Sequence, residues 1–361
     1  MVVIVNLLKR TQIMLQRSAL LCVVITLVLG VLGAANAQTS PAKNDSDKKI
    51  LADSEAVFPM DDNLVLRGYS NRHRIAYPVT VTHAVVMIHG VLRNPDNYYL
   101  PAQRVLERKA LFTKVALISV GFDDHDSAPK KVQRLALFCS RWKHGDFGGL
   151  NPDDPNNKLS SFGAMDRILL DLTETYPRLK RITLIGHSAG AQFVDRYSVL
   201  SSIAAKVPGV RFRFVALAPS SVLYPSELRP EIGKEGRLSF SIPSGAHGYN
   251  EYPYGLSLTP LLERMVGHPV ADHHTQMVNK FLDRNIVFAV GTKDTTSDYL
   301  DQGRSANTQG PNRYTRLKYF VEFLKARYHS SNTRLLPIAG VGHSSQRLIR
   351  SREMSEFFSD H

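Results

Sequence analysis

The chain has 361 residues, of which 43% are hydrophobic, 21% charged and 9% aromatic, a composition that excludes a disordered polymer, a collagen-like fibre and a protein of many membrane spans. Its formal net charge of +13 raises a nucleic-acid-binding class, which the distribution of that charge has to answer. With only two cysteines in the whole chain, a disulfide scaffold is excluded and an apolar core has to hold the fold together.

Lys9, Arg10 and Arg17 precede a nearly uncharged apolar run from Ala19 to Leu32, and Ala35-Asn36-Ala37 follows with the small-x-small pattern of signal-peptidase cleavage. Residues 1–37 are therefore read as a secretory signal peptide. The alternative, an uncleaved membrane anchor, needs a longer apolar run than this one. Val2 to Leu8 is apolar ahead of the basic residues, whereas a start at Met14 gives the usual basic-then-apolar order, so Met14 is read as the true start. Either way the protein is exported, to the periplasm or outside the cell. Three basic and no acidic residues lie before residue 38, leaving 42 basic against 32 acidic residues, a net +10. Cys22 leaves with the signal and Cys139 remains alone, so no intramolecular disulfide is expected.

Residues 38–56 are polar and show no apolar period, and they read as a flexible leader to a single domain over 57–361. From Ala84 the chain alternates short apolar runs with longer segments of helical period, the pattern of a mostly parallel sheet covered by helices. The predicted strands are Ala84–Ile88, Val115–Val120, Ile182–Ile185, Phe212–Ala218, Ile286–Val290 and Leu335–Ile338. Phe162, Met165, Ile168, Leu169, Leu172 and Tyr176 share one helix face, with Ser160 or Ser161 placed to cap its start. Two irregular stretches, about 123–158 and 219–283, interrupt the alternation and read as insertions forming the rim or cap of a site.

Directly after the strand Ile182–Ile185 stands Gly186-His187-Ser188-Ala189-Gly190, followed by the helical run Gln192 to Leu200. A serine that presents its hydroxyl above a sheet needs a sharp strand-to-helix turn, and small neighbours let the helix approach the strand. That hydroxyl becomes a useful nucleophile only beside an imidazole, and the imidazole needs a carboxylate to fix its tautomer and stabilise its charged form. Asp294 follows the strand Ile286–Val290 and His343 follows Leu335–Ile338, giving the chain order Ser, Asp, His. Asp298, in the same loop as Asp294, is the alternative acid. Backbone N–H groups of Val91, after Ile88-His89-Gly90, and of Ala189 are the candidate oxyanion donors.

Together Ile88–Val91, Gly186–Gly190, Gly291–Asp294 and Gly342–His343 resemble the α/β-hydrolase superfamily over nearly all of residues 80–350. Ser161–Asp166, Gly190–Tyr197 and Tyr252–Leu256 look similar to its secreted, esterase-like members. The resemblance implies an α/β fold with a mostly parallel sheet of about eight strands, helices on both faces, an inserted cap-like region, and hydrolysis through an acyl-enzyme on a Ser-Asp-His triad. A single Gly after His89 departs from the multi-Gly oxyanion segment of many lipases and argues against bulky tertiary esters. The function expected is hydrolysis of a small or polymeric carboxylic ester. The alternatives are amide or peptide hydrolysis by the same residues, or a non-catalytic envelope-binding protein on the same fold.

No cofactor and no metal are expected. Asp123, Asp124, His125 and Asp126, and likewise Asp272-His273-His274, lack the spacing of a zinc or calcium site and read as solvated loops. Trp142, His144, Tyr249, Tyr252 and Tyr254 fall in the insertions, as an apolar substrate rim or as packing onto the body. Ten basic residues against Glu322 alone lie between Arg304 and Arg352. Arg313, Arg316, Lys318, Lys325 and Arg327 among them read as the solvated outer face of a helix that buries Phe320, Phe323 and Leu324. A weak contact with an anionic envelope surface is the competing use of this charge. An exported chain without a recognised nucleic-acid motif has no nucleic-acid partner.

Overall fold

The computed structural model describes residues 43–60, 63–129, 134–149, 156–257, 259–266, 274–329 and 332–359; the expected signal peptide lies outside them. The chain forms two units, Met1–Ser46 and Asp47–His361, and the fold that follows is that of the second. Its strands are β1 (Glu55–Pro59), β2 (Val65–Ser70), β3 (His83–Ile88), β4 (Val115–Gly121), β5 (Arg181–His187), β6 (Arg211–Leu217), β7 (Arg229–Ile232), β8 (Leu238–Ser241), β9 (Asn285–Gly291) and β10 (Thr333–Ile338). The main helices are α1 (Asp45–Ser54), α2 (Asp96–Arg108), α3 (Ser161–Thr175), α4 (Ala189–Leu200), α5 (Pro260–Val266), α6 (His274–Asp283), α7 (Arg313–Tyr328) and α8 (Ser345–Ile349). Among the described residues no helix is long and apolar enough to cross a membrane.

Eight strands make one sheet in the order β1-β2-β4-β3-β5-β6-β9-β10. The pairs from β4 to β10 are parallel, while β2 runs antiparallel to β4 and β1 antiparallel to β2. The six strands expected from the sequence all form, within two residues of their expected ends. Their unbroken apolar runs have a plain cause: β3 and β4 are buried along their whole length, and β5 and β9 at every residue but the first, as strands covered on both faces must be.

The strand order locates the site. β3 pairs with β4 on one side and β5 on the other, so the chain leaves β3 through α2 in one direction and leaves β5 through α4 in the opposite one. With right-handed crossovers, that reversal puts the two helices on opposite faces and opens a crevice between the carboxyl ends of β3 and β5. Gly90 and Ser188 follow those two ends.

The leader expected over 38–56 is corrected from residue 45 onward. Residues 45–54 form α1, with Asp47, Leu51 and Ser54 buried, and Glu55 begins an edge strand that pairs in register with β2. Two of the three buried positions on α1 are polar, which hides its apolar period; Arg104 holds Asp47 at 2.5 Å. The insertions are also more regular than expected. The first contains a short 3-10 helix, Ser140–His144, whose Trp142 is buried against Phe122 and Phe193. The second holds the β7–β8 hairpin and ends in α6, which packs on α4. Trp142, at 1% exposure, packs the first insertion onto the body, and Tyr252, whose hydroxyl donates to the His144 carbonyl, ties the second insertion to the first; neither forms an open rim.

The basic face expected of α7 is corrected as well. Lys318, Lys325 and Arg327 are exposed, but Arg313 and Arg316 are fully buried among carbonyl and carboxylate oxygens. Because Leu51 is packed into the core cluster, Leu51→Ala should cost about 2 kcal/mol by urea denaturation; a residue of a flexible leader would change stability by no more than about 0.5 kcal/mol.

Candidate active site

Ser188 sits on the turn between β5 and α4 with φ 55° and ψ −112°, a conformation most side chains avoid. Two glycines allow it. A Cβ on Gly186 would lie 2.0 Å from the Gly190 carbonyl oxygen, and one on Gly190 would lie 2.4 Å from that of Ile88. Only without those atoms can the first turn of α4 cross the ends of β5 and β3 this closely. The turn is held from outside by the Ser188 N–H, which donates to the Leu217 carbonyl at 2.9 Å. Such a backbone stores about 1–3 kcal/mol, and its surroundings must over-determine it.

The loops after β9 and β10 bring up the other two groups. They are zipped together by Thr292 N–H to the Ile338 carbonyl and Lys293 N–H to the Val341 carbonyl, both 2.9 Å. His343 Nδ1 lies 2.7 Å from Asp294 Oδ2, and His343 Nε2 lies 3.1 Å from Ser188 Oγ. With the Nδ1 proton donated to the carboxylate, Nε2 is left as acceptor for the serine hydroxyl. Asp294 is fully buried, and the His343 side chain is 15% exposed. Burial first, opposed by the Asp294 hydrogen bond and reinforced by the charge of Arg313, holds the His343 pKa below its ordinary value of 6.5. The structure thus brings Ser188, Asp294 and His343 into one hydrogen-bonded line. It leaves Asp298 out: that side chain is exposed and accepts from Thr296 at 3.3 Å.

Among solved structures, the chain is similar to a poly(3-hydroxybutyrate) depolymerase from Bordetella parapertussis, at 19% identity and a TM-score of 0.55, over 87% of this chain and 93% of that one. It is also similar to poly(aspartic acid) hydrolase-1 from Sphingomonas sp. KT-1, at 17% identity and a TM-score of 0.53, over 84% and 96% of the two chains. The chain has the α/β-hydrolase fold. No protein-family model matches the sequence, and no curated protein is significantly similar to it.

In this hydrolase fold the segment after β3 faces the serine. A Cβ on Gly90 would lie 3.6 Å from Ser188 Cβ, which puts the Gly90–Val91 backbone beside Ser188. Ala189 is the first residue of α4, where an N–H has no partner within the helix. The segment is fixed at three points. Neutral His89 donates from Nδ1 to the Gly90 carbonyl at 2.7 Å and accepts the Phe122 N–H at 2.8 Å on Nε2; burial pushes its pKa down to about 3. Arg93, with φ 53°, donates to the carbonyls of Phe122 and Cys139 and pairs with Asp124 at 2.9 Å. The Gly90 N–H donates to the hydroxyl of Tyr98 at 2.9 Å, and that hydroxyl in turn reaches His187 Nδ1 at 3.1 Å.

Arg93, Tyr98 and Arg313 are residues around the triad that sequence reasoning missed. Tyr98 lies on α2 beside Tyr99, and nothing local marks its hydroxyl as the link between Gly90 and His187. Asp123 and Asp124, weighed above as cation ligands, hold Arg67 and Arg93 instead; among the described residues no group of three acidic, His or Cys side chains could hold a metal. Asp272 and His273 lie outside the described residues. Tyr98→Phe would leave the Gly90 N–H and His187 Nδ1 buried without a partner. It should cost about 1–3 kcal/mol in stability by thermal or chemical denaturation; a loss under about 0.3 kcal/mol would show that the hydroxyl anchors nothing.

Proposed function

We propose that the protein is an exported serine hydrolase that cleaves carboxylic esters through an acyl-enzyme. The observation that carries this is the unbroken line Ser188 Oγ, His343, Asp294, with contacts of 3.1 and 2.7 Å, on a strained turn at the mouth of the sheet crevice. Ser188 attacks the ester carbonyl while His343 Nε2 takes its proton; Asp294 holds the imidazole in place and stabilises its charged form. The N–H groups of Ala189 and Val91 receive the oxyanion, and the pinned segment 89–93 lets them do so without reorganising. His343 then gives the proton to the departing alcohol, and water repeats the sequence on the acyl-serine. Structures of the same fold include a depolymerase of a polyester and a hydrolase of poly(aspartic acid), a polyamide, so the choice of ester over amide is left to the substrate panel.

Export rests on the signal-like segment before residue 38. Mature protein recovered from an export-competent host should begin at Gln38, and an N-terminal peptide containing Val2 to Arg10 would reject a start at Met14.

A panel of p-nitrophenyl esters of rising acyl length, run beside a p-nitroanilide, tests the reaction class. Ester turnover should exceed anilide turnover and should fall by about a factor of 10⁴ or more in Ser188→Ala. Turnover of the anilide alone would favour amide hydrolysis, and no turnover of either would leave the non-catalytic reading. The acid limb follows from the state of His343. The imidazole must be neutral to act as base, and its pKa is depressed, so kcat/KM should be lost only as pH falls through a value below 6.5. A limb above about pH 7 would mean that another group titrates.

A further inference from the structure

Asp294 has a second partner that the triad mechanism does not use. Arg313, the first residue of α7, lies with its side chain fully buried behind the acid, opposite His343. Its Nη1 is 3.3 Å from Asp294 Oδ1, and its Nη2 donates at 2.9 Å to the carbonyl of Asp298. The backbone repeats the link, since the Tyr314 N–H donates to the Asp294 carbonyl at 3.3 Å. One oxygen of the acid therefore faces the cation while the other faces the base.

We propose that Arg313 is a positioning residue of the triad: its guanidinium fastens Asp294 Oδ1 and the loop carbonyl of Asp298, and so holds Asp294 Oδ2 on His343. The proposal rests on the serine-hydrolase reading and deepens it. Asp294 sits on an irregular loop whose residues 295–299 are exposed, and a carboxylate there has two equivalent oxygens and a freely turning side chain. A flat, forked donor that engages one oxygen and the backbone four residues on removes both freedoms. It also balances the buried carboxylate while His343 is neutral, a state in which a lone buried anion would otherwise carry its full desolvation penalty.

The same placement has an electrostatic consequence. The charged or titratable groups facing His343 are His187 and Ser188 from the β5 turn, Asp294 and Asp298 from the acid loop, and Arg313 from α7. Arg313 is the cation in this set that stays charged at every working pH. It opposes protonation of His343, so its loss should make the base easier to protonate and move the acid limb of activity to higher pH.

The test reads the rate at which a fluorophosphonate phosphonylates Ser188 as a function of pH, which needs no knowledge of the natural substrate. In Arg313→Met, with folding checked by circular dichroism, the acid limb should move up by about half a pH unit or more, and the plateau rate should fall about tenfold. An acid limb that stays where it is in the wild type overturns the proposal, whatever the plateau does. Should the Met variant not fold, Arg313→Lys carries the test, because it keeps the charge and loses the fork. A limb in place with a plateau at least about threefold lower is then expected, and an unchanged plateau overturns the proposal. Wild type that is not phosphonylated at all defeats the serine-hydrolase reading itself, so the two failures are distinguishable.

Discussion

Buried guanidinium groups hold the irregular half of this molecule in place. Loops around a sheet crevice carry carbonyl oxygens with no ladder to join, and each must find a donor if it is covered. Arg196 on α4 donates to the carbonyls of Gln192, Ser221 and Pro253. Arg229 donates to those of Ser226, Leu228, Tyr249 and Tyr254, with its plane near the rings of Tyr224 and Tyr249. Arg316 gathers Ser220, Asp301 and Gly310, and Arg313 takes Asp294 and Asp298. Each fork replaces several backbone partners at once, which suits a chain whose described cysteine, Cys139, is free. Part of the basic excess is thus internal structure, and the charge that first suggested a nucleic-acid surface is partly spent on holding loops.

That arrangement explains how a strained serine can persist. The turn at Ser188 is clamped below by the Leu217 carbonyl and leaves no room for a side chain at Gly186 or Gly190. The helix it starts is fastened through Arg196 to two points of the second insertion, the carbonyls of Ser221 and Pro253. On the far side, the acid and base loops are joined to each other by backbone bonds and to α7 by Arg313. Ser188, Asp294 and His343 each stand on a short irregular segment whose neighbours fix it from more than one direction. The preorganisation that makes an oxyanion site and a triad effective needs that property.

The core of this design was legible in the sequence where one physical cause dominated. Strands covered on both faces must be apolar throughout, so β3, β4, β5 and β9 declared themselves. Ser188 and Asp294 were legible because each follows such a strand with small residues around it, and His343 because Gly340 and Gly342 precede it after the partly exposed edge strand β10. The two antiparallel strands were not: β1 ends in Pro59 with only Phe58 buried, and β2, which carries Gly68 against the Ser119 carbonyl, is buried only at every second residue, so neither shows a long apolar run. Helix α1 was hidden by the polar buried residues Asp47 and Ser54. Arg313 and Arg316 misled because a charge on an amphipathic helix is ordinarily read as facing water, and their partners lie far away in sequence or on loops whose path only the fold sets. Tyr98 is the same case, with His187 89 positions away.

The central claim is that Ser188 is the activated nucleophile of this fold. Peptide mapping of the protein after reaction with a fluorophosphonate tests it most directly. The account predicts one stoichiometric phosphonyl adduct, on the peptide holding Ser188, formed slowly or not at all in His343→Ala. An adduct on a different residue, or full reactivity at Ser188 without His343, would contradict it.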